Sequence, residues 1–376
     1  MKTISFTVNN ADDIGGEMDL RLKNGFSPQL AFVFASARQG IFEISKALKP
    51  YDICVVGSSS GGNILAENEG QVIYEYAIVI TLLELDKDAF AYTITKQNDL
   101  SDHAFGLKIG NWGSEKFKKP HMIVIASGMR LNGQELVEGI LDANGQDITI
   151  FGGLAGDDIR FENNYVFNGK QVIENGAIVL AFDPEKIDMH GMSTSGWVGL
   201  GKDLTITSAR SNIVYSIDHA PALEVYKSYL SVNDTDLPAI GVEYPLLIKR
   251  DDNTSALRAV MGVDRKKKAL IFSGTVPEDS IVSFSSSPGF EVIEYTKEKI
   301  DALYKNHPQA DMILLFSCMA RHLALGPVIT EEISFARDKW GLPVTGLFTY
   351  GEIGTNEGNV CDFFNQAYSL VILKEK

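Results

Sequence analysis

One plan of residues recurs three times along the 376-residue chain, and this repetition limits the fold more than any other feature. Each copy opens with a proline that is followed by a short apolar run ending in Ser. Val, Ile and Phe fill these runs, as they do in buried strands. The runs cover residues 30–36, 122–127 and 312–317. An arginine follows each run within a few residues, and a stretch with helical spacing of apolar residues comes next.

The second half of each copy is another apolar run that stops at a glycine, then a glycine-rich loop and a last strand. The stopping glycines are Gly57, Gly152 and Gly346. The repeated unit is therefore strand, helix, strand, loop, strand. It recurs over residues 28–84, 120–183 and 308–374. The predicted fold is α/β, with mixed parallel and antiparallel sheets built from diverged repeats of this β-α-β-β unit.

The unit also predicts where a ligand binds. Two strands joined by a crossover helix form a parallel, right-handed βαβ unit, and we expect the third strand to return antiparallel. Ligands of such sheets bind beyond the carboxyl ends of the strands. That edge carries the glycine loops and the arginines that follow the first strands, which are Arg38, Arg130 and Arg321.

These strand-end arginines have two interpretations. Each offers a rigid bidentate fork for a ligand carboxylate. An ion pair with a neighbouring acidic loop, for instance between Arg321 and Glu352, explains them equally well. For Asp157, which follows the second glycine loop, a turn-forming role is favoured, and a contact with a ligand amine stays open.

Composition excludes several classes of protein. The 49 acidic residues against 34 Lys and Arg give a formal net charge of −15, whereas nucleic acids and anionic membranes require a basic face. No run approaches the ~18 apolar residues of a membrane helix. The three cysteines are too few for a disulfide framework. We therefore expect a cytoplasmic protein with no nucleic-acid or membrane partner.

Residues 57–61, Gly-Ser-Ser-Ser-Gly, match the nucleophile elbow of α/β-hydrolases. An elbow must open a helix, whereas this loop leads into a β-like run, and the equivalent loops of the other copies lack the serine. A structural turn is therefore favoured. A hydrolase that uses Ser59 is the less favoured alternative.

Cys318 and His322 form a Cys-x-x-x-His pair, but zinc needs two more ligands at convincing spacing and the sequence offers none. A small residue at a buried strand end is the simpler interpretation of Cys318. The other histidines are isolated, and spacing alone does not decide whether one of them is an axial haem ligand. No metal or other cofactor is expected.

Several strings of residues resemble the FIST sensory family. They are residues 151–158, 166–169, 196–197, 218, 221–223, 318–321, 343–354 and 365–366. The most distinctive are Cys-Met-Ala-Arg and Thr-Tyr-Gly-Glu-Ile-Gly in the second half. Together the strings follow the family's order along nearly the whole chain. The resemblance implies an N-terminal FIST domain at residues 1–225 and a C-terminal FIST domain at residues 226–376.

The resemblance implies a sensor of small ligands and not an enzyme. Amino acids are the ligands proposed for the family, and some members look like haem-binding gas sensors. FIST domains are often fused to, or encoded beside, histidine kinases or cyclic-dinucleotide enzymes. We expect this chain to signal to a separate partner of that kind. Residues 363–367 depart from the family, whose members tend to have a His before the Asn and a Thr after it.

We therefore expect an amino acid or a related carboxylate at the strand ends. Arg321, with Arg38 or Arg130, is expected to hold its carboxylate. Glu352 or Asp157 is expected to face its amine, with Tyr350 and Trp197 as walls. Cys318 and Asn365, from the strings that resemble the family, complete the expected ligand site.

Overall fold

The fold is taken from a computed structural model, which describes residues 1–67, 70–129, 131–145, 147–237, 239–250, 254–355 and 360–376. The described residues form three six-stranded sheets and one eight-stranded sheet, with helices packed on their faces. Among these residues, no helix combines the length and the apolar character needed to cross a bilayer.

The first half of the chain contains two of the predicted repeat units. The first region consists of β1 (Lys2–Val8), α1 (Asp13–Arg21), β2 (Leu30–Ser36), α2 (Ile41–Leu48), β3 (Cys54–Ser60), β4 (Asn63–Ala66), β5 (Ile73–Tyr74) and β6 (Ile78–Glu84). The second consists of β7 (Phe90–Lys96), α3 (Asp102–Lys116), β8 (His121–Ser127), α4 (Gly133–Asn144), β9 (Ile150–Leu154), β10 (Val166–Phe167), β11 (Val172–Ile173) and β12 (Gly176–Phe182).

The second half contains the region between the repeats and the third repeat unit. The intervening region consists of β13 (Ile187–Thr194), β14 (Val198–Arg210), β15 (Ile213–Ile217), β16 (Ala220–Pro221), α5 (Ala222–Leu230), α6 (Ala239–Glu243), β17 (Leu246–Lys249), β18 (Ser255–Arg258), β19 (Val260–Asp264), β20 (Ala269–Phe272) and β21 (Ile281–Ser286). The last region consists of α7 (Glu291–Asn306), β22 (Met312–Cys318), α8 (Met319–Leu325), α9 (Ile329–Trp340), β23 (Val344–Thr349), β24 (Glu352–Thr355), β25 (Cys361–Phe364) and β26 (Tyr368–Glu375).

The crossover helices form where the apolar spacing predicts them. In α9, Ile329, Ile333 and Ala336 are fully buried on one face, and Gly341 ends the helix with a left-handed φ of 63°, which glycine adopts without strain. The strands β2, β8 and β22 are buried along almost their whole length. Such strands need cover on both faces, and the helices and neighbouring sheets supply it.

The three six-stranded sheets have the same order of strands. Sheet 1 is β1-β6-β2-β3-β10-β11, sheet 2 is β7-β12-β8-β9-β24-β25, and sheet 3 is β13-β26-β22-β23-β4-β5. In each sheet the two strands joined by the crossover helix are parallel, and the last strand of the unit is antiparallel to the first. The mixed α/β fold is confirmed; descent of the units from one duplicated ancestor stays a prediction.

Each unit gives a short hairpin to the sheet of another unit, a feature that the sequence did not predict. The hairpin β4–β5 pairs with β23 of sheet 3, β10–β11 pairs with β3 of sheet 1, and β24–β25 pairs with β9 of sheet 2. The exchange is cyclic, because unit one gives to unit three, unit three to unit two, and unit two to unit one. Two of the three sheets thereby contain strands from both sides of residue 225, and the predicted domain boundary stays a prediction.

The glycine loops allow the exchanged segments to cross closely. A Cβ atom added at Gly156 would lie 2.5 Å from the backbone nitrogen of Gly61 and 2.9 Å from the carbonyl carbon of Ser60. Backbone atoms cannot retreat as a flexible side chain can, so only glycine fits at this crossing. The predicted strand-end loops therefore meet one another near the middle of the molecule.

The residues between the repeats form the eight-stranded sheet 4, β18-β17-β21-β14-β15-β20-β19, with β16 paired to β15. Its core is separate from the cores of the other sheets and includes Tyr226, Phe272 and Phe284. The helix α6 packs on β19 and on α8. This contact brings part of the intervening region to the carboxyl end of β22.

Candidate functional site

A small pocket lies where β22 and β23 end, at the edge predicted to bind a ligand. We call it the Cys318 pocket. Its apolar wall is formed by Val242, Ala259, Met261, Met319, Ala320 and Leu323, its cover by Ile159 and Phe161, and its remaining lining by Cys318, Thr349, Tyr350 and Asn365. The free space of about 20 Å³ holds one water molecule. Ligand pockets commonly offer roughly 300–1,000 Å³, so binding of an amino acid requires part of this wall to move.

Three of the predicted site residues meet in this pocket. Cys318 is the last residue of β22, Tyr350 follows β23, and Asn365 follows β25. The side-chain oxygen of Asn365 accepts from the backbone N–H of Ala259 at 3.2 Å and from the hydroxyl of Ser273. Asn365 also lines a neighbouring open groove of about 600 Å³, to which Trp197 contributes.

Glu352 is fully buried directly behind the pocket. Its Oε1 accepts from the hydroxyl of Thr349 at 2.6 Å and its Oε2 from the backbone N–H of Ala367 at 3.1 Å. Burial raises the pKa of Glu352 to about 8, because the charged form loses its hydration. Burial, reinforced by the charge of Glu352, also raises the pKa of the adjacent Cys318 thiol. At neutral pH the pocket therefore has a neutral thiol, which is a weak nucleophile.

Arg321 is fully buried and makes hydrogen bonds with all its N–H groups. Its Nε and Nη2 form a bidentate pair with Glu332, at 2.8 and 2.7 Å. Nη2 also donates to Thr296 at 2.7 Å. Nη1 donates to the carbonyl oxygens of Ser195 at 2.5 Å and Gln366 at 3.2 Å. The bidentate position that we expected a ligand carboxylate to take is thus occupied by Glu332.

The expected ion pair of Arg321 with Glu352 is therefore wrong in its partner, since Glu332 on α9 takes that role. A direct contact of Arg321 with a ligand stays a prediction. Trp197 covers the guanidinium, whose carbon lies 5.5 Å from the centre of the indole ring. Trp197 therefore lies behind Arg321 and in the wall of the open groove, and not in the lining of the Cys318 pocket.

Residues 157–163 form a lid over the pocket. The buried carboxylate of Asp157 accepts from the backbone N–H groups of Phe161, Glu162 and Asn163 at 2.7–3.1 Å, so its favoured turn-forming role agrees with these contacts. The Tyr350 hydroxyl donates to Asp157 and accepts from the N–H of Ile159 at 2.7 Å. These bonds tie the lid to the end of β23.

The lid backbone is strained. Asp158, Ile159 and Phe161 have φ values of 57°, 62° and 54°, a left-handed region that a β-branched residue such as Ile rarely adopts. Strain of this kind persists only where the surrounding contacts enforce it, and it is concentrated at ligand clamps and switch regions. The side chains of Ile159 and Phe161 are the ones that close the pocket.

Of the other two predicted arginines, the structure describes only Arg38, which does not line the pocket. Arg38 is half exposed, and its Nε lies 3.8 Å from Oδ2 of Asp158. The same oxygen accepts from the Ser36 hydroxyl at 2.6 Å, so the end of β2 holds the outer side of the lid. Arg130 lies outside the described residues. Ligand roles for both residues stay predictions.

Ser59 has a structural role in these contacts. Its hydroxyl donates to the carbonyl of Gly156 at 2.7 Å and accepts from the N–H of Tyr165 at 2.8 Å. The strand β3 continues into β4, whereas the strand of a nucleophile elbow leads directly into a helix.

The histidines lie away from the lining of the Cys318 pocket. His190 and His307 stack with ring centres 3.6 Å apart, and His322 stacks on Phe348 at 4.4 Å. Within the described ranges, no group of three or more His, Cys, Asp or Glu side chains is placed to hold a metal ion. Haem binding, which the family resemblance raised as an alternative, stays a prediction.

Sequence reasoning missed the partners that complete the pocket. Glu332 could have been found from the sequence, because it is a charged residue on the apolar face of α9 between Ile329 and Ile333, and such a residue requires a buried partner. No sequence pattern indicates Val242 or Met261. They come from the region between the repeats, whose path across β22 depends on tertiary packing alone.

Comparisons with known proteins divide the chain into two domains. The FIST N domain model matches residues 29–220, and the FIST C domain model matches residues 222–355. A search of curated proteins found no match. The two models cover most of the chain and divide it at about residue 220; the lid lies in the first, and Cys318 and Tyr350 lie in the second. The chain belongs to the FIST family of signal-transduction sensory domains, with a FIST N domain followed by a FIST C domain.

Proposed function

We propose that this chain is a sensor whose small ligand carries an amino group and binds in the Cys318 pocket. One observation carries the proposal. The strained lid of the FIST N domain and the strand ends of the FIST C domain converge on a single apolar pocket, with the carboxyl groups of Glu352 and Asp157 beside it. A ligand in this position contacts both domains at once.

The lid supplies the two states that a sensor needs. In the closed state the Tyr350 hydroxyl joins Asp157 to Ile159 and the pocket has room for one water molecule. A ligand that displaces Ile159 and Phe161 shifts the population toward an open state, to the extent that it binds that state more tightly. The lid also contacts Ser36 through Asp158, so its movement reaches sheet 1.

The finer assignments are part of the proposal. An amino acid or a related carboxylate is the ligand class that the family resemblance predicts. A separate histidine kinase or cyclic-dinucleotide enzyme is the predicted receiver of the signal. The movable lid favours transmission through the surface around Ser36 and Arg38, because those residues hold its outer side.

A thermal-shift screen of the purified chain against amino acids, small organic acids and small amines tests the proposal. A ligand at 100 times its Kd stabilises the folded state by about 2.7 kcal/mol. Leu323→Trp fills the pocket from α8, where Leu323 is 43% exposed and a larger ring can be accommodated. Leu20→Trp on α1, at 50% exposure, is the matched control.

We expect a ligand-dependent stabilisation that Leu323→Trp abolishes and Leu20→Trp preserves. Equal stabilisation of both variants would show that the ligand binds elsewhere and would refute the proposed site. An absorption spectrum of the same samples is the second control. A Soret band in the purified protein would replace the proposal with the haem sensor found among some relatives.

A further inference from the structure

We infer that the ligand of the Cys318 pocket is an organic ammonium ion without a carboxylate, such as a small alkylamine or arylalkylamine. The inference rests on the proposed function, because it names the ligand class of the same pocket. It departs from the amino-acid class that the family resemblance predicts. The charges around the pocket are the reason.

The buried ionisable side chains around the pocket come from four elements. Glu352 is on β24, Glu332 is on α9, Asp157 is in the lid, and Arg321 is on α8. Arg321 and Glu332 compensate each other through two hydrogen bonds. Two carboxyl groups then remain beside the pocket, and no buried cation among the described residues is left to balance them.

Three further cations, Arg258, Arg38 and Arg160, contact other groups. Arg258 precedes Ala259 on the neighbouring strand, and its guanidinium turns to the opposite side, where it donates to Gln134 at 2.6 Å and to the carbonyl of Phe363 at 3.1 Å. On the outer side of the lid, Arg38 faces Asp158. Arg160 faces Glu162, and both side chains are exposed.

This balance of charges discriminates between the two ligand classes. A ligand carboxylate in the pocket would place an anion in a medium of low dielectric beside the Asp157 carboxylate and the Glu352 carboxyl group, and no free guanidinium fork among the described residues would receive it. An ammonium group would instead pair with these carboxyl groups. Each carboxylate can accept about four hydrogen bonds, and Glu352 accepts from Thr349 and Ala367, so capacity remains for an N–H donor.

The rest of the lining matches an amine with an apolar body. The rings of Phe161 and Tyr350 stack with centres 5.3 Å apart and an interplanar angle of 24°. Aromatic faces attract ammonium groups, and both rings line the pocket, Phe161 from the lid and Tyr350 from the end of β23. Val242, Met261 and Leu323 provide apolar surface for a hydrocarbon chain or a phenyl ring.

The experiment compares pairs of compounds that differ only in the carboxylate. The probes are 3-methylbutylamine against leucine and phenethylamine against phenylalanine, titrated calorimetrically into the full chain at pH 7. We expect each amine to bind at least tenfold more tightly than its amino acid. Burial favours the protonated form of Glu352, and a bound cation reverses that preference, so amine binding should release a proton. Titrations in buffers of different ionisation enthalpy measure the release.

Glu352→Gln keeps the size of the side chain and removes the charge. We expect it to weaken amine binding at least tenfold and to abolish proton release, whereas Glu294→Gln, on an exposed side chain of α7, should change neither. Amino acids that bind as tightly as their amines, in a manner abolished by Leu323→Trp, would overturn this inference and leave the proposed function standing. If no compound of the panel binds in a manner that Leu323→Trp abolishes, both this inference and the proposed function are overturned.

Discussion

At the scale of single residues, Arg321 and Glu352 respond to burial in different ways. Both side chains are inaccessible to solvent. Arg321 has a bidentate carboxylate partner and three further acceptors, so its charge is compensated within the fold. Glu352 has neutral hydrogen-bond donors, and burial therefore favours its protonated form. One residue is a fixed structural charge, and the other titrates in the physiological range.

Removal of the Arg321 guanidinium should destabilise the fold. Arg321→Ala leaves Glu332 buried without its partner, and the loss of one member of a buried pair commonly costs about 3–5 kcal/mol. Urea denaturation followed by circular dichroism measures the free energy of unfolding. Arg38→Ala is the control, because the half-exposed Arg38 guanidinium lies 3.8 Å from Asp158 and such a long, solvent-screened contact should contribute about 0–1 kcal/mol. Equal effects of the two substitutions would contradict the structural role of Arg321.

Glu352 should make stability fall as pH rises. Its pKa in the folded state is about 8, against 4.5 for an ordinary Glu. Between these values the folded state keeps a proton that the unfolded state has lost, so the free energy of unfolding decreases with pH in this window. Glu352→Gln lacks this titration. The stability of the wild-type chain minus that of this variant, measured by urea midpoints, should be larger at pH 5 than at pH 8.5. A constant difference across the window would refute the assignment.

Site residues could be predicted where they lie in a short string that resembles the family. The residues that they contact could not be predicted. Cys318, Tyr350 and Asn365 lie in strings that resemble the family, and the structure brings them together. The partner of Arg321 depends on which face of α9 turns inward and how α9 packs beside α8. Spacing along the sequence indicates that face, but it does not show which of several acidic residues the guanidinium meets.

At the scale of elements, the lid and the exchanged hairpins determine the site. The helices and the long strands follow from apolar spacing, which is why α2, α9 and the buried strands were predicted. The strands β5, β10 and β11 have two residues each, too few to show a period of two. β5 and β11 pair within their own hairpins, and it is β4 and β10 that pair with strands of other units. The hairpin exchange therefore had no local signal beyond the glycines.

The crossing at Gly156 should tolerate no side chain. Gly156→Ala would place Cβ 2.5 Å from the backbone nitrogen of Gly61, so we expect one of the crossing segments to shift, with a loss of roughly 2–4 kcal/mol, as for severe overpacking. Gly16→Ala on α1 is the matched control. Nothing lies within 4 Å of its added Cβ, and alanine within a helix should stabilise by about 0.5–1 kcal/mol. Thermal denaturation of both variants measures the contrast, and a neutral Gly156→Ala would contradict the close crossing.

At the scale of the whole molecule, the hairpin exchange joins the two FIST domains through shared sheets. Sheet 2 is completed by β24 and β25 from the C-terminal half, and sheet 3 is completed by β4, β5 and β13 from the N-terminal half. The domains are therefore distinct in sequence and share sheets in space. The lid follows β9 of sheet 2, precedes β10 of sheet 1 and is tied through Tyr350 to the end of β23 in sheet 3, so it is connected to all three six-stranded sheets.

Separation of the halves should abolish cooperative folding. A fragment of residues 1–225 lacks the hairpin that covers β9, and its own β4–β5 hairpin lacks β23. We expect neither this fragment nor residues 226–376 to show a cooperative urea transition by circular dichroism, whereas co-expression of the two should restore one. A fragment 1–225 that unfolds cooperatively by itself would show that its sheets do not need the exchange.

The exchange also has a consequence during protein synthesis. β9 ends at Leu154, and the strand that covers its edge begins at Glu352, 198 positions later. At about 5–20 residues per second, the ribosome needs roughly 10–40 s to make that stretch. Throughout this interval β9 presents an unpaired edge, which is a template for association with other chains. The strand pairing that unites the finished protein therefore leaves the nascent chain open to aggregation until its last 25 residues begin to emerge. This interval is roughly half the time that translation of the chain takes.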